Sequence, residues 1–212
     1  GGYGGRGIAV STGTTNANIT IANNFIAGVD GSNWTGFGNS SSMGIALGMV
    51  GNSATITTVT GGISIHHNTV NMEGNFLGTS TTANKITAAI YVGSAASNLD
   101  IRNNLFSNSL VNTTAVAKAY AIYSAAANSA FTNINNNNYY TGGSQAVLGF
   151  LGADQTTLGA LQAAFGGNTS SSNITPVFTS ATDLHLVPAS NPGLDNTGTP
   201  ITGITTDIDG DA

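Results

Sequence analysis

The 212-residue sequence predicts an all-β chain folded as a parallel β-helix of about four coils, and three observations carry that prediction. A strand-and-turn unit recurs as Ile19-Thr-Ile-Ala-Asn-Asn-Phe25, Ile63-Ser-Ile-His-His-Asn-Thr69 and Leu99-Asp-Ile-Arg-Asn-Asn-Leu105, with a longer copy at Thr132-Asn-Ile-Asn-Asn-Asn-Asn-Tyr139. A short apolar run precedes each copy, at Gly7-Ile-Ala-Val10, Gly44-Ile-Ala-Leu47, Ala89-Ile-Tyr-Val92 and Ala121-Ile-Tyr-Ser124. The last Asn of each turn falls at 24, 68, 104 and 138, in steps of 44, 36 and 34 residues. A period of this length marks a repeat architecture.

The apolar clusters are runs of three to five alternating residues bounded by Gly, Ser and Asn, which excludes a helical repeat. Propeller blades need antiparallel hairpins, and no regular Asn-Gly or Asp-Gly hairpin signal is present. Parallel coils need only short strands and turns. Asn suits those turns because it tolerates a left-handed backbone and its amide both donates and accepts. Stacked coils place Asn24, Asn68 and Asn104 above one another in an amide ladder, beside an inward column of Ile21, Ile65 and Ile101.

These Ile-x-Ile-x-Asn-Asn turns resemble right-handed parallel β-helix proteins of the pectate-lyase-like superfamily, particularly non-enzymatic secreted or cell-surface proteins of bacteria. The resemblance covers nearly the whole chain. It implies a right-handed solenoid and a secreted or cell-surface location.

Composition narrows the partners. Charged residues are 6% of the chain, with 4 Lys+Arg against 9 Asp+Glu and a net charge of −5. So few cations argue against nucleic acid or an anionic membrane surface as partner. With no Cys, neither disulfides nor thiolate metal sites hold the fold. No apolar run reaches the length of a membrane span, so membrane insertion is not expected.

In chain order, residues 1–150 are read as the coils and 151–212 as a helix and extended tail packed on them, all one domain. Two inserts, 30–42 with Trp34 and Phe37, and 73–85, leave the stack on one side after an Asn turn. Residues 154–165 read as a helix capped by Asp154 or a following Thr, burying Leu158, Leu161 and Phe165, and ended by Gly166. Asp183-Leu-His-Leu186 reads as a strand. The Pro-Val-Phe, Asp-Leu-His-Leu and Ser-Asn-Pro-Gly-Leu-Asp segments resemble the part that follows the coils in many bacterial secreted β-helix proteins. Nothing apolar precedes the strand at Ile8, so further coils of a longer parent chain or an end-to-end neighbour are expected to cover that edge.

Candidate functional residues come from the outward positions. Alternation points Ile8, Val10, Ile45, Leu47, Ile90, Val92 and Ile122 inward, and Ala9, Ala46, Tyr91 and Tyr123 outward. Tyr91 and Tyr123 then stack one coil apart on an exposed sheet, as a platform for polysaccharide or as a Tyr ladder shielded by the tail. The second strand turns out Thr20, Ala22, Ser64, His66, Asp100 and Arg102. His66, Arg102 and Asp100 are the one seat for polysaccharide lyase chemistry, but they lack a second carboxylate or a lysine. Hydrolysis needs paired carboxylates, and the coils offer only the scattered Asp30, Glu73 and Asp100. His67 replaces an Asn of the turn. Asp207, Asp209 and Asp211 alternate around Gly210 like the start of a calcium loop, without its distal Glu, so calcium is the candidate ion and a backbone-bonding turn the alternative; no other cofactor is indicated.

Three functions remain open on these residues. The first is a non-catalytic, adhesive or structural, secreted or cell-surface repeat protein contacting polysaccharide. A polysaccharide lyase or other carbohydrate-active enzyme, and an ice- or glycan-binding module, are the alternatives.

Overall fold

The computed structural model describes residues 4–29, 42–49, 58–76, 86–112 and 117–211. The chain visits three parallel sheets in turn, and does so four times. The first pass contributes β1 (Arg6–Val10), β2 (Ile19–Ala22) and β3 (Phe25–Ala27), and the second β4 (Ser42–Leu47), β5 (Thr60–His66) and β6 (Thr69–Met72), followed by β7 (Asn75–Phe76). The third adds β8 (Ile86–Val92), β9 (Ala96–Arg102), β10 (Leu105–Asn108) and β11 (Val111–Asn112), and the fourth β12 (Lys118–Ser124), β13 (Phe131–Asn135) and β14 (Asn138–Thr141). Then β15 (Ala146–Leu151) extends the first sheet and β16 (Ala153–Gln155) folds back on it antiparallel. The orders are β1-β4-β8-β12-β15-β16, β2-β5-β9-β13 and β3-β6-β10-β14, with a small β7-β11 pair.

Register repeats from pass to pass because each apolar residue must meet its equivalent. Ile8, Ile45, Ile90 and Ile122 align in the first sheet. In the middle sheet Ile21, Ile65, Ile101 and Ile134 form the expected column, 8%, 0%, 0% and 5% exposed. A one-residue slip would turn that column out to solvent, so burial itself holds the register.

The third sheet is absent from the sequence reading, which ended each repeat at its Asn turn. Its strands are three or four residues long and bury Ile26, Val70, Phe106 and Tyr139. So short a run, with one or two inward residues, leaves no periodicity to detect. The Phe106 and Tyr139 rings stack at 5.9 Å.

First-sheet strands bend once. Both Ala89 and Ile90, and likewise Ala121 and Ile122, pack into the main core, so alternation changes phase there. At the second pass the inside of the bend is tight: a Cβ on Gly44 would lie 2.2 Å from Val70 Cγ1 and 2.6 Å from the Ala89 carbonyl. The bend sends Met43, Ala88 and Tyr120 to the outer face, where they join Ala46 and Tyr91 in a second apolar cluster.

Three boundaries differ from expectation. The helix α1 is Leu158–Phe165, capped by the Thr157 hydroxyl accepting from the Ala160 N–H at 3.2 Å and ended by Gly166 at φ 66°. Asp154 lies instead in β16, where it bonds the Lys118 ammonium and the Tyr120 hydroxyl, a long-range pairing that outweighs local capping. Leu161 and Phe165 are buried against the stack as expected, whereas Leu158 is only partly buried. The run around His185 is an isolated antiparallel bridge, Phe178 to Leu186, rather than a strand. Of the second insert, Asn75 and Phe76 form β7; residues 77–85 and the first insert's 30–41, with Trp34 and Phe37, lie outside the described residues.

Candidate functional site

Each Asn-Asn turn supplies two adjacent columns with different tasks. The second residue of each turn forms an inner ladder. Asn24 Nδ2 donates to Asn68 Oδ1 at 2.8 Å, Asn68 Nδ2 to Asn104 Oδ1 at 3.0 Å, and Asn104 Nδ2 to Asn137 Oδ1 at 3.0 Å. The same oxygens accept the backbone N–H groups of Asn24, Asn68 and Asn104. Asn137 continues to the Ser171 hydroxyl, which accepts its N–H at 3.0 Å.

The fourth rung is therefore Asn137, not the Asn138 expected from spacing. The additional residue of that copy is absorbed upstream, where the β13–β9 register shifts between Phe131 and Asn133 and the Thr132 hydroxyl donates to the Leu99 carbonyl at 2.9 Å.

The first residue of each turn, Asn23, His67, Asn103 and Asn136, forms the outer column. All four are left-handed, with φ of 55°, 54°, 60° and 54°. Asn takes this conformation at little cost. His67 thus belongs to the left-handed turn column, one residue away from the amide ladder.

The outer column holds the C-terminal tail. Asn136 Nδ2 donates to the Thr197 carbonyl at 3.1 Å and Asn23 Nδ2 to the Thr206 carbonyl at 2.6 Å. Between them Asn103 makes a two-way clip, Nδ2 to the Thr199 carbonyl at 2.6 Å and Oδ1 from the Thr199 N–H at 3.1 Å. The tail therefore runs back along the turns from the fourth pass to the first. Upstream, the Asn191 side chain ties 177 and 187 together by accepting from the Val177 N–H and donating to the Val177 and Val187 carbonyls, each at 2.8 Å.

Under this tail lies the groove of the middle sheet, a part-open cavity of about 500 Å³ lined by Thr20, Ser64, His66, Asp100 and Arg102 and overhung by residues 200–204. Parallel register brings Ser64 beside Asp100 and His66 beside Arg102, as the alternation requires. Arg102 grips both oxygens of Asp100, Nε to Oδ1 at 2.6 Å and Nη2 to Oδ2 at 2.5 Å. His66, 4% exposed, places Nε2 3.3 Å from Asp100 Oδ2 but makes no well-aligned hydrogen bond there. Burial alone would raise Asp100, yet the Arg102 fork and His66 hold its carboxyl below the ordinary value. The same pairing raises Arg102. A carboxylate so neutralised is a poor proton acceptor.

Tyr91 and Tyr123 align and stack as expected, with ring centroids 5.4 Å apart and planes 6° apart. The column continues to Phe150, 4.4 Å from Tyr123. Tyr91, however, is 1% exposed, packed among Met43, Ala46, Met49, Ile86 and Ala88, so the exposed position expected for it is corrected. Burial pushes its phenol up strongly. Tyr123, Val147 and Phe150 remain partly open and form the accessible end of the column.

The three aspartates of the tail do not converge. Asp207 Oδ1 accepts the backbone N–H groups of Asp209 and Asp211 at 2.9 and 3.0 Å, forming a self-bonded turn. Asp209 faces His185 Nε2 at 2.9 Å, while His185 Nδ1 meets Asp183 at 2.5 Å. Asp183 first, then Asp209, hold the His185 imidazole above its usual range. Among the described residues no three His, Cys, Asp or Glu side chains are grouped as a metal site.

The tail clips and the His185 bridge escaped the sequence reading. Asn23 and His185 lie far apart in sequence from Thr206 and Asp209 respectively, and only the repeated Asn at the first turn position hinted at a second column. No protein-family model, curated protein or solved structure matches the chain.

Proposed function

We propose that the chain is a right-handed parallel β-helix of about four coils, of the pectate-lyase-like type, serving as a non-catalytic adhesive or structural module of a secreted or cell-surface bacterial protein that contacts polysaccharide. Four in-register passes through three parallel sheets, with one continuous Asn ladder, support the solenoid reading. Non-catalysis rests on one observation above the rest: both oxygens of Asp100 are held by Arg102 in a groove overhung by the chain's own tail. A stiff stack with a bonded tail suits display and attachment better than turnover.

Polysaccharide contact is assigned to the partly open edge of Tyr123, whose ring faces are covered by Tyr91 on one side and Phe150 on the other. An aromatic edge beside the partly open Val147 and Phe150 still offers a sugar apolar contact. The edge strands β1, β2 and β3 are the place for a further coil or neighbouring chain, since among the described residues no donor reaches Asn24 Oδ1.

The test is retention on insoluble polysaccharides together with turnover of polyuronates. Retention is expected and is weakened by Tyr123→Ala beyond the effect of Tyr91→Ala, although Tyr91→Ala, which empties a fully buried site, costs the more stability, about 3 to 5 kcal/mol. Unsaturated product that disappears in His66→Ala would overturn the non-catalytic assignment. Full retention by Tyr123→Ala would remove the aromatic column from the binding role.

A further inference from the structure

We propose that residues 200–204 are a strap that lifts and recloses over the middle-sheet groove while its ends stay tied, so that the chain's own tail gates access to Ser64, His66 and Arg102. This rests on the tail geometry alone and stands whether or not polysaccharide is bound. Its ends are the clips of Asn103 on Thr199 and Asn23 on Thr206.

The two stretches of tail on either side of Asn103 differ in slack. From Thr197 to Thr199 two residues cross one rung, about 4.8 Å by strand spacing of the roughly 7 Å they reach extended. From Thr199 to Thr206 seven residues cross two rungs, about 10 Å, although extended they reach roughly 23 Å. The surplus is taken up in a turn, where the Ile204 N–H donates to the Ile201 carbonyl at 3.1 Å and Gly203 adopts φ 89°.

His67 explains why the slack sits there. It occupies the rung between Asn103 and Asn23, where an Asn would clip the tail. Instead, His67 Nε2 lies 3.1 Å from Asn103 Nδ2, an amide nitrogen that can only donate, so the imidazole accepts. No side-chain bond runs from His67 to residues 200–204 among the described residues. Ile201, 8% exposed, and the half-buried Ile204 are the strap's apolar anchors among the described residues, while Thr202 and Gly203 are exposed above a cavity of about 500 Å³. Lifting it uncovers Ser64, His66 and Arg102 without disturbing the ladder.

The cysteine-free chain permits a direct test, with Ile201→Cys as a thiol whose labelling rate reports lifting. In that background His67→Asn restores the missing clip and slows labelling about three- to tenfold, the worth of one hydrogen bond. Asn103→Gly, which keeps the left-handed turn but removes the clip, speeds it by a similar factor. Equal rates in the three proteins, or the reverse order, overturn the proposal. So does labelling of all three at the rate of an unfolded thiol. Carbethoxylation of His66, with Ile201 retained, gives a second readout that must follow the same order; identical modification of His66 in the Ile201-retaining protein and in its His67→Asn and Asn103→Gly variants equally overturns it.

Discussion

The inner and outer asparagine columns are neighbours in sequence and opposites in energetics. Asn104 is 2% exposed, and its amide accepts two bonds from Asn68 and donates to the Ile65 and Arg102 carbonyls and to Asn137. Asn103, one residue earlier, is partly exposed and spends its amide on the tail and His67. One column satisfies buried backbone groups that have no access to water, and the other replaces water contacts with tail contacts. The same residue type in one dipeptide therefore builds the stack with one member and fastens an accessory segment with the other.

That contrast breaks if the two positions respond alike to mutation. Asn104→Ala leaves the buried Asn68 N–H and two carbonyls unpaired, and a loss of about 3 kcal/mol or more is expected in urea unfolding. A loss under about 1 kcal/mol would mean that the ladder is ornamental to the fold. Asn103→Gly avoids left-handed strain and removes only exposed bonds, so it is expected to cost about 1 kcal/mol or less. Its effect should appear in hydrogen exchange at Thr199 rather than in the ladder.

The pH dependence sharpens the same contrast, since only the outer column carries a titratable rung. His67 is held below 6.5, by burial first and then by His66 and Arg102. A base that resists protonation in the folded state makes folding less favourable as pH falls below its unfolded value. Stability is thus expected to decline below pH 6.5, with His67→Asn removing that part of the decline. An unchanged acid limb in the variant would show that His67 does not sense pH.

The smallest effect expected is at the tail end, and it has the opposite sign. His185 is raised above 6.5 by Asp183 and Asp209, so its anchoring is complete below that value and lost as pH rises through the raised one. Protection of the 207–211 amides, taken relative to the intrinsic exchange rate at each pH, should fall over that rise and stay level with pH in Asp209→Asn. Both carboxylates are exposed, so screening by salt should weaken the effect.

The repeat period, the inward Ile column and the ladder of Asn24, Asn68 and Asn104 were determined by the sequence alone. Parallel stacking forces equivalent residues into contact, and so makes periodicity a direct record of neighbours. The third sheet needed coordinates because strands of three or four residues carry no measurable period. The fourth rung, Asn137, keeps the same three-residue step from its inward Ile134, while tertiary structure alone decided that Asn138 pairs with Leu105 in the third sheet. It also decided that Tyr91 is covered and that Asp154 leaves the helix for Lys118 and Tyr120. The strap belongs to the same class. Its partners, Asn23 with Thr206 and Asn103 with Thr199, are 183 and 96 residues apart and outside the repeat, where no local pattern can link them.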